Sequence, residues 1–122
     1  MTITTIGIDI AKDVFQIHGV NEHGKVLTRK QIRRHEMLKF FVNLPQCLIG
    51  MEACGGAHYW SRELTKLGHT VKLMSPQFVK SYVKTNKNDV ADAEAKYKVS
   101  RNGVDPFEVV LRSQHRVYEE MA

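Results

Sequence analysis

The sequence predicts an α/β fold, a mixed five-stranded sheet flanked by helices. Three observations predict it. Near the N-terminus, three strand-like segments follow one another with only short links. Apolar strand runs then alternate with helical periodicities. Two of the apolar runs, Ile6-Gly7-Ile8-Asp9-Ile10 and Cys47-Leu48-Ile49-Gly50-Met51-Glu52, carry an acid at or next to their end.

The elements follow in chain order. From Thr2 to Ile10 the pattern alternates, with Ile6, Ile8 and Ile10 on one strand face and Gly7 and Asp9 on the other. Val14 to Val20 reads as a second strand, Asn21-Glu22-His23-Gly24 as a turn, and Lys25 to Ile32 as a third strand. Strands joined this closely form an antiparallel meander. His35 to Leu44 has Met37, Phe40, Phe41 and Leu44 at helical spacing, and Pro45 stops it. Cys47 to Met51 is continuously apolar, as a strand buried on both faces requires. Gly55-Gly56 reads as a strand-to-helix turn or a place where a phosphate could approach a helix N-terminus. A helix from Ala57 to Leu67 follows, with Gly68 at its C-terminal cap, then a strand from His69 to Met74. Ser75-Pro76 opens another helix carrying Phe78, Val79, Tyr82 and Val83. A further helix is expected from Asp89 to Asn102-Gly103. Asp105-Pro106-Phe107-Glu108 has the form of a capping box opening the last one. The order β-β-β-α-β-α-β-α-α-α, with right-handed crossovers, is that of the ribonuclease H-like fold. It puts Asp9 on the central strand and Glu52 beside it.

At 122 residues one domain is expected, and 43% hydrophobic content is enough for one modest core. No apolar stretch approaches the roughly 18 residues of a membrane span, and the N-terminus has no basic n-region of a signal peptide. Cys47 and Cys54 lack CxxC spacing, and a reduced, cytoplasmic setting fits them. The six histidines show no zinc spacing.

Eighteen Lys and Arg against thirteen Asp and Glu give a net charge of +5. Between Lys72 and Lys98 six lysines face three acids, which suits a polyanionic partner as well as a solvated basic face. Lys12, Lys80, Lys84 and Lys87 are candidate phosphate contacts. Tyr59 and Trp60 are candidate stacking groups, Trp60 also reading as core.

Acids at the ends of buried strands are costly, because desolvation disfavours their charged form. Asp9 and Glu52 carry that cost on neighbouring strands. Asp89 and Asp92, three apart, face the same way on a helix, although Asp89 also reads as an N-cap and Asp92 as an N3 acid. Together the four could serve two metal ions roughly 3.5–4 Å apart, a phosphoryl-transfer arrangement.

Four blocks carry a resemblance: Gly7-Ile8-Asp9-Ile10-Ala11-Lys12, Gly50-Met51-Glu52-Ala53-Cys54-Gly55-Gly56, Val83-Lys84-Thr85-Asn86-Lys87-Asn88-Asp89 and Asp92-Ala93-Glu94-Ala95. Over residues 3–95 the chain resembles the DEDD transposases of the insertion sequence 110 family, related to the Piv invertases. The resemblance implies a RuvC-like nuclease domain, an acidic tetrad of Asp9, Glu52, Asp89 and Asp92, and Mg2+ as cofactor with Mn2+ as substitute. It implies DNA as partner, in transposition and site-specific recombination, and in some members a guide RNA. Family members are longer and carry a nucleophilic serine in a C-terminal domain, so the expectation is a domain (residues 1–100) incomplete as a recombinase. Residues 101–122 are expected to form a helical extension whose apolar stripe either packs back on the sheet or pairs with a second copy as a homo-oligomer. Two other functions fit less of the pattern. One is a non-catalytic DNA- or RNA-binding fragment. The other is an actin-like or sugar-kinase ATPase, whose first phosphate loop Gly7 to Lys12 resembles only faintly, without the glycine and threonine after the aspartate, and whose second loop does not appear.

Overall fold

The computed structural model describes residues 2–10, 13–75, 99–101 and 103–110. A five-stranded sheet has the order β3-β2-β1-β4-β5. Its strands are β1 (Thr5–Ile10), β2 (Val14–Val20), β3 (Val26–Arg33), β4 (Leu48–Glu52) and β5 (Thr70–Met74). β1 runs antiparallel to β2, and β2 to β3, while β1, β4 and β5 are mutually parallel. This is the mixed sheet of a RuvC-like, ribonuclease H-like fold, with β1 at its centre.

The β2–β3 turn is built by Asn21, whose Oδ1 accepts from the backbone N–H of His23 (2.9 Å) and of Lys25 (3.0 Å). Gly24 then turns with φ of 80°, a conformation that disfavours other residues. β1 starts later than the Thr2 to Ile10 pattern suggests, yet Thr4 is already hydrogen-bonded on both sides, to Val20 and Leu48.

One face of the sheet is covered by α1 (Met37–Val42), which follows a 3-10 turn at Arg34–Glu36, and by α2 (Ala57–Lys66). Met37 and Phe41, one turn apart, are buried, as are Ala57, Trp60 and Leu64 of α2. They meet Ile6, Ile8, Phe15, Ile17, Ile32, Ile49 and Met51 in the main core. Each large side chain buried here contributes on the order of 2 kcal/mol. Gly68, with φ of 100°, ends α2, its N–H bonded to the Thr65 carbonyl.

The other face is covered differently. Val99–Ser100 (β6) and Gly103–Val104 (β7) form a small antiparallel hairpin, and residues 106–110 are helical. Asp105 caps that turn, its Oδ1 accepting from the Phe107 N–H at 2.9 Å, an N-cap at the expected residue. Val20, Val104 and Val109 form a second apolar cluster. Pro106, Val109 and Val110 sit so close to the sheet that only glycine fits beneath them. A Cβ on Gly7 would lie 2.7 Å from the Val110 nitrogen, and one on Gly50 would lie 2.7 Å from the Pro106 carbonyl oxygen. Gly7 and Gly50 are register partners on β1 and β4. The start of the last expected helix, 106–110, is therefore seated on the sheet, and the rest of its apolar stripe lies outside the described residues.

One expectation is corrected. The helix foreseen from Asp89 to Gly103 does not reach residue 99, where β6 begins. β-branched Val99 favours a strand, and Gly103, at φ of 91°, opens β7 opposite Ser100 instead of ending a helix. The helices expected after Ser75 and at Asp89, and the residues beyond 110, lie outside the described residues.

Candidate metal centre

The last register pair of β1 and β4 is Ile8 with Met51. The next residue on each strand is Asp9 and Glu52. Adjacent strands lie about 4.8 Å apart, and residues in register point to the same side. The two carboxylates are therefore neighbours on the face that also carries Gly7 and Gly50, at the edge where both strands end. Both are half-buried. The strand that offers Asp9 is fixed by Ile6 and Ile8 in the core, and Glu52 by Ile49 and Met51.

The chain leaves β4 through a tight loop. Ala53 N–H bonds to the Met74 carbonyl, Cys54 N–H to Glu52 and Ala57 N–H to Cys54. Gly56, at φ of 88°, is the N-cap of α2 and supplies no side-chain cap. The glycine pair thus makes the strand-to-helix turn, one of the two readings its sequence allows.

Cys54 senses both acids. Partial burial pushes its thiol pKa up, and the negative fields of Glu52 and then Asp9 push it further, against a smaller opposing effect of its own backbone hydrogen bond. Asp9 and Glu52 offer carboxylate oxygens, the kind of donor that suits Mg2+ or Mn2+. Among the described residues no group of three or more His, Cys, Asp or Glu side chains could hold an ion. Asp9 and Glu52 alone are a pair. Asp89, Asp92, Lys12, Lys80, Lys84 and Lys87 lie outside the described residues.

The sequence reading missed two features near this edge. The paired glycines set the acids beside a closely seated chain segment, and their equal spacing from Asp9 and Glu52 was the available signal. The Arg34–Trp60 contact, with Cζ 5.8 Å from the ring centroid, joins residues distant in sequence and left no local signal. Trp60 itself is 4% exposed, which fits its reading as core.

The transposase family model of the DEDD, insertion sequence 110 type matches residues 6–110. The chain belongs to that family. This transposase-family chain is 58% identical over 95 residues to a "Probable family 20 transposase" of Pseudomonas aeruginosa, covering 78% of the chain and 28% of that relative. It is 50% identical over 93 residues to the transposase for insertion sequence element IS1328 of Yersinia enterocolitica, covering 76% and 28%. It is 46% identical over 93 residues to the transposase for IS1111A of Coxiella burnetii, covering 76% and 26%. The chain thus spans about a quarter of the length of these curated relatives. No helix among the described residues is long and apolar enough to cross a membrane.

Proposed function

We propose that this chain is the N-terminal, RuvC-like domain of a transposase acting on DNA phosphodiesters, with Asp9, Glu52, Asp89 and Asp92 as its metal-binding tetrad. In this reading residues 1–100 form the RuvC-like unit, and residues 101–122 an extension seated on it through 106–110. The observation that carries the proposal is the β1–β4 register, which makes Asp9 and Glu52 neighbours at one sheet edge. All four acids lie within the four blocks that carry the family resemblance.

Mg2+, or Mn2+ in its place, would polarise the phosphate and activate the attacking oxygen. The chain's own residues do the rest. Asp9, on the central strand, holds its carboxylate on a rigid support, and Glu52 adds a second from the parallel neighbour. Asp89 and Asp92 complete the oxygen set. Lys12, Lys80, Lys84 and Lys87 draw the phosphate backbone toward it. Serine chemistry, which the longer family members carry in another domain, is outside this reading.

Calorimetric titration with Mn2+ tests it. The intact chain should give a saturable heat at millimolar ion, and Asp9→Ala should abolish it. A wild-type chain with no metal-dependent heat would overturn the proposed centre.

A further inference from the structure

A second surface lies at the same sheet edge as the acids but on the opposite face. Arg33, the last residue of β3, pairs with Val14, the first of β2. Arg34 therefore emerges at the edge where β1 and β4 end. There Arg34, His35 and Leu38 face Tyr59 and Trp60 of α2 across an open hollow of about 510 Å³.

The hollow has a layered aromatic wall. The Trp60 ring is closed in by the edge of Phe15 (centroids 5.4 Å apart, 74°) and by the Arg34 guanidinium. Tyr59 lies beside it, 5.0 Å away and tilted by only 32°. Trp60 is buried, but Tyr59 is 38% exposed and Leu38 37% exposed. Tyr59 is thus an accessible ring on a rigid backing. Among the described residues no carboxylate forms a salt bridge with Arg34.

Charge selects the occupant. From residue 29 to 39 the chain carries Arg29, Lys30, Arg33, Arg34 and Lys39 against one acid, Glu36. An exposed aromatic ring beside a guanidinium binds an unpaired base by stacking and its phosphate by charge. In a duplex the base faces are already stacked and closed to Tyr59.

We propose that this hollow is a docking site for single-stranded DNA, with Tyr59 stacking on a base and Arg34 contacting the adjoining phosphate. The choice of DNA over RNA rests on the transposition reading above. The site would hold an unpaired strand that bends around the sheet edge from the carboxylates on the other face.

Trp60 is the single tryptophan of the chain, so its emission reports on the hollow. The test titrates the intact chain, in EDTA, with an oligothymidylate of about twelve nucleotides, within the range one small binding surface covers. Working without metal separates this result from the fate of the acidic centre. Binding should quench Trp60. Tyr59→Ala should weaken binding about tenfold or more, and Tyr59→Phe should keep it. Arg34→Gln should weaken binding and lower the salt slope by about one. The proposal is overturned if Tyr59→Ala and Arg34→Gln bind like the wild type, or if a duplex of the same length quenches equally. Tighter binding of an oligouridylate of that length would overturn the assignment to DNA.

Discussion

Cys47 and His69 lie 22 residues apart and lock α1 to the start of β4 and β5. His69 Nε2 donates to the Phe41 carbonyl at 2.8 Å, so that nitrogen carries the proton. Nδ1 then accepts from the Cys47 N–H at 3.2 Å, with Cys47 Sγ 3.4 Å away. Both ring nitrogens of a buried side chain are satisfied. His69→Ala leaves a buried N–H and a buried carbonyl without this partner and should cost about 2–4 kcal/mol, read from denaturant unfolding. Burial pushes the Cys47 thiol up to about 12 from 9.0. A raised pKa in the fold means the unfolded chain ionises first. The stability from the neutral thiol is therefore complete below pH 9 and is lost as pH rises toward 12. At pH 8 Cys47 should resist iodoacetamide in the native chain, while the half-buried Cys54 is the first thiol modified, as mass spectrometry of the labelled peptides would show.

Among the elements, the seat of residues 106–110 on β1 and β4 makes the sharpest demand on sequence. Backbone atoms of that segment stand where side chains of positions 7 and 50 would be. Gly50→Ala or Gly7→Ala must push the segment outward, and each should cost about 1–3 kcal/mol, measured as a shift of the denaturation midpoint at unchanged slope. The strands were mostly legible in the sequence. β2 matches its predicted range, Val14–Val20, and the Asn21-Glu22-His23-Gly24 turn closes it. β4 was legible from an apolar run too short for a helix. The pairing of Asp9 with Glu52 followed from strand order alone. The hairpin at residues 99–104 was not legible, since its strands are two residues each and Gly103, which reads as a helix stop, finds its place only by pairing with Ser100. The role of Gly7 and Gly50 was hidden because each looks ordinary alone, and their partnership exists only once β1 and β4 are aligned.

On the scale of the molecule, the two faces of the sheet divide the work. One is filled by α1 and α2 around a single core and fixes the strands. The other carries the carboxylate pair and the close-seated segment 106–110. The net charge of +5 surrounds both. Binding to any nucleic acid should therefore weaken steeply with salt. Affinity for single strands should drop about tenfold or more between roughly 50 and 200 mM, as expected when about three phosphates are neutralised. Fluorescence titrations at several salt concentrations would give the slope.

The paired glycines also set a direction of approach. Along β1 and β4 the floor at positions 7 and 50 is roofed by backbone, and the first side chains to rise beyond that roof on this face are Asp9 and Glu52. The two acids stand just past a stretch of sheet that is filled, with no space left beneath its cover. Any ligand of Asp9 and Glu52 is thereby barred from the stretch of β1 and β4 that precedes them.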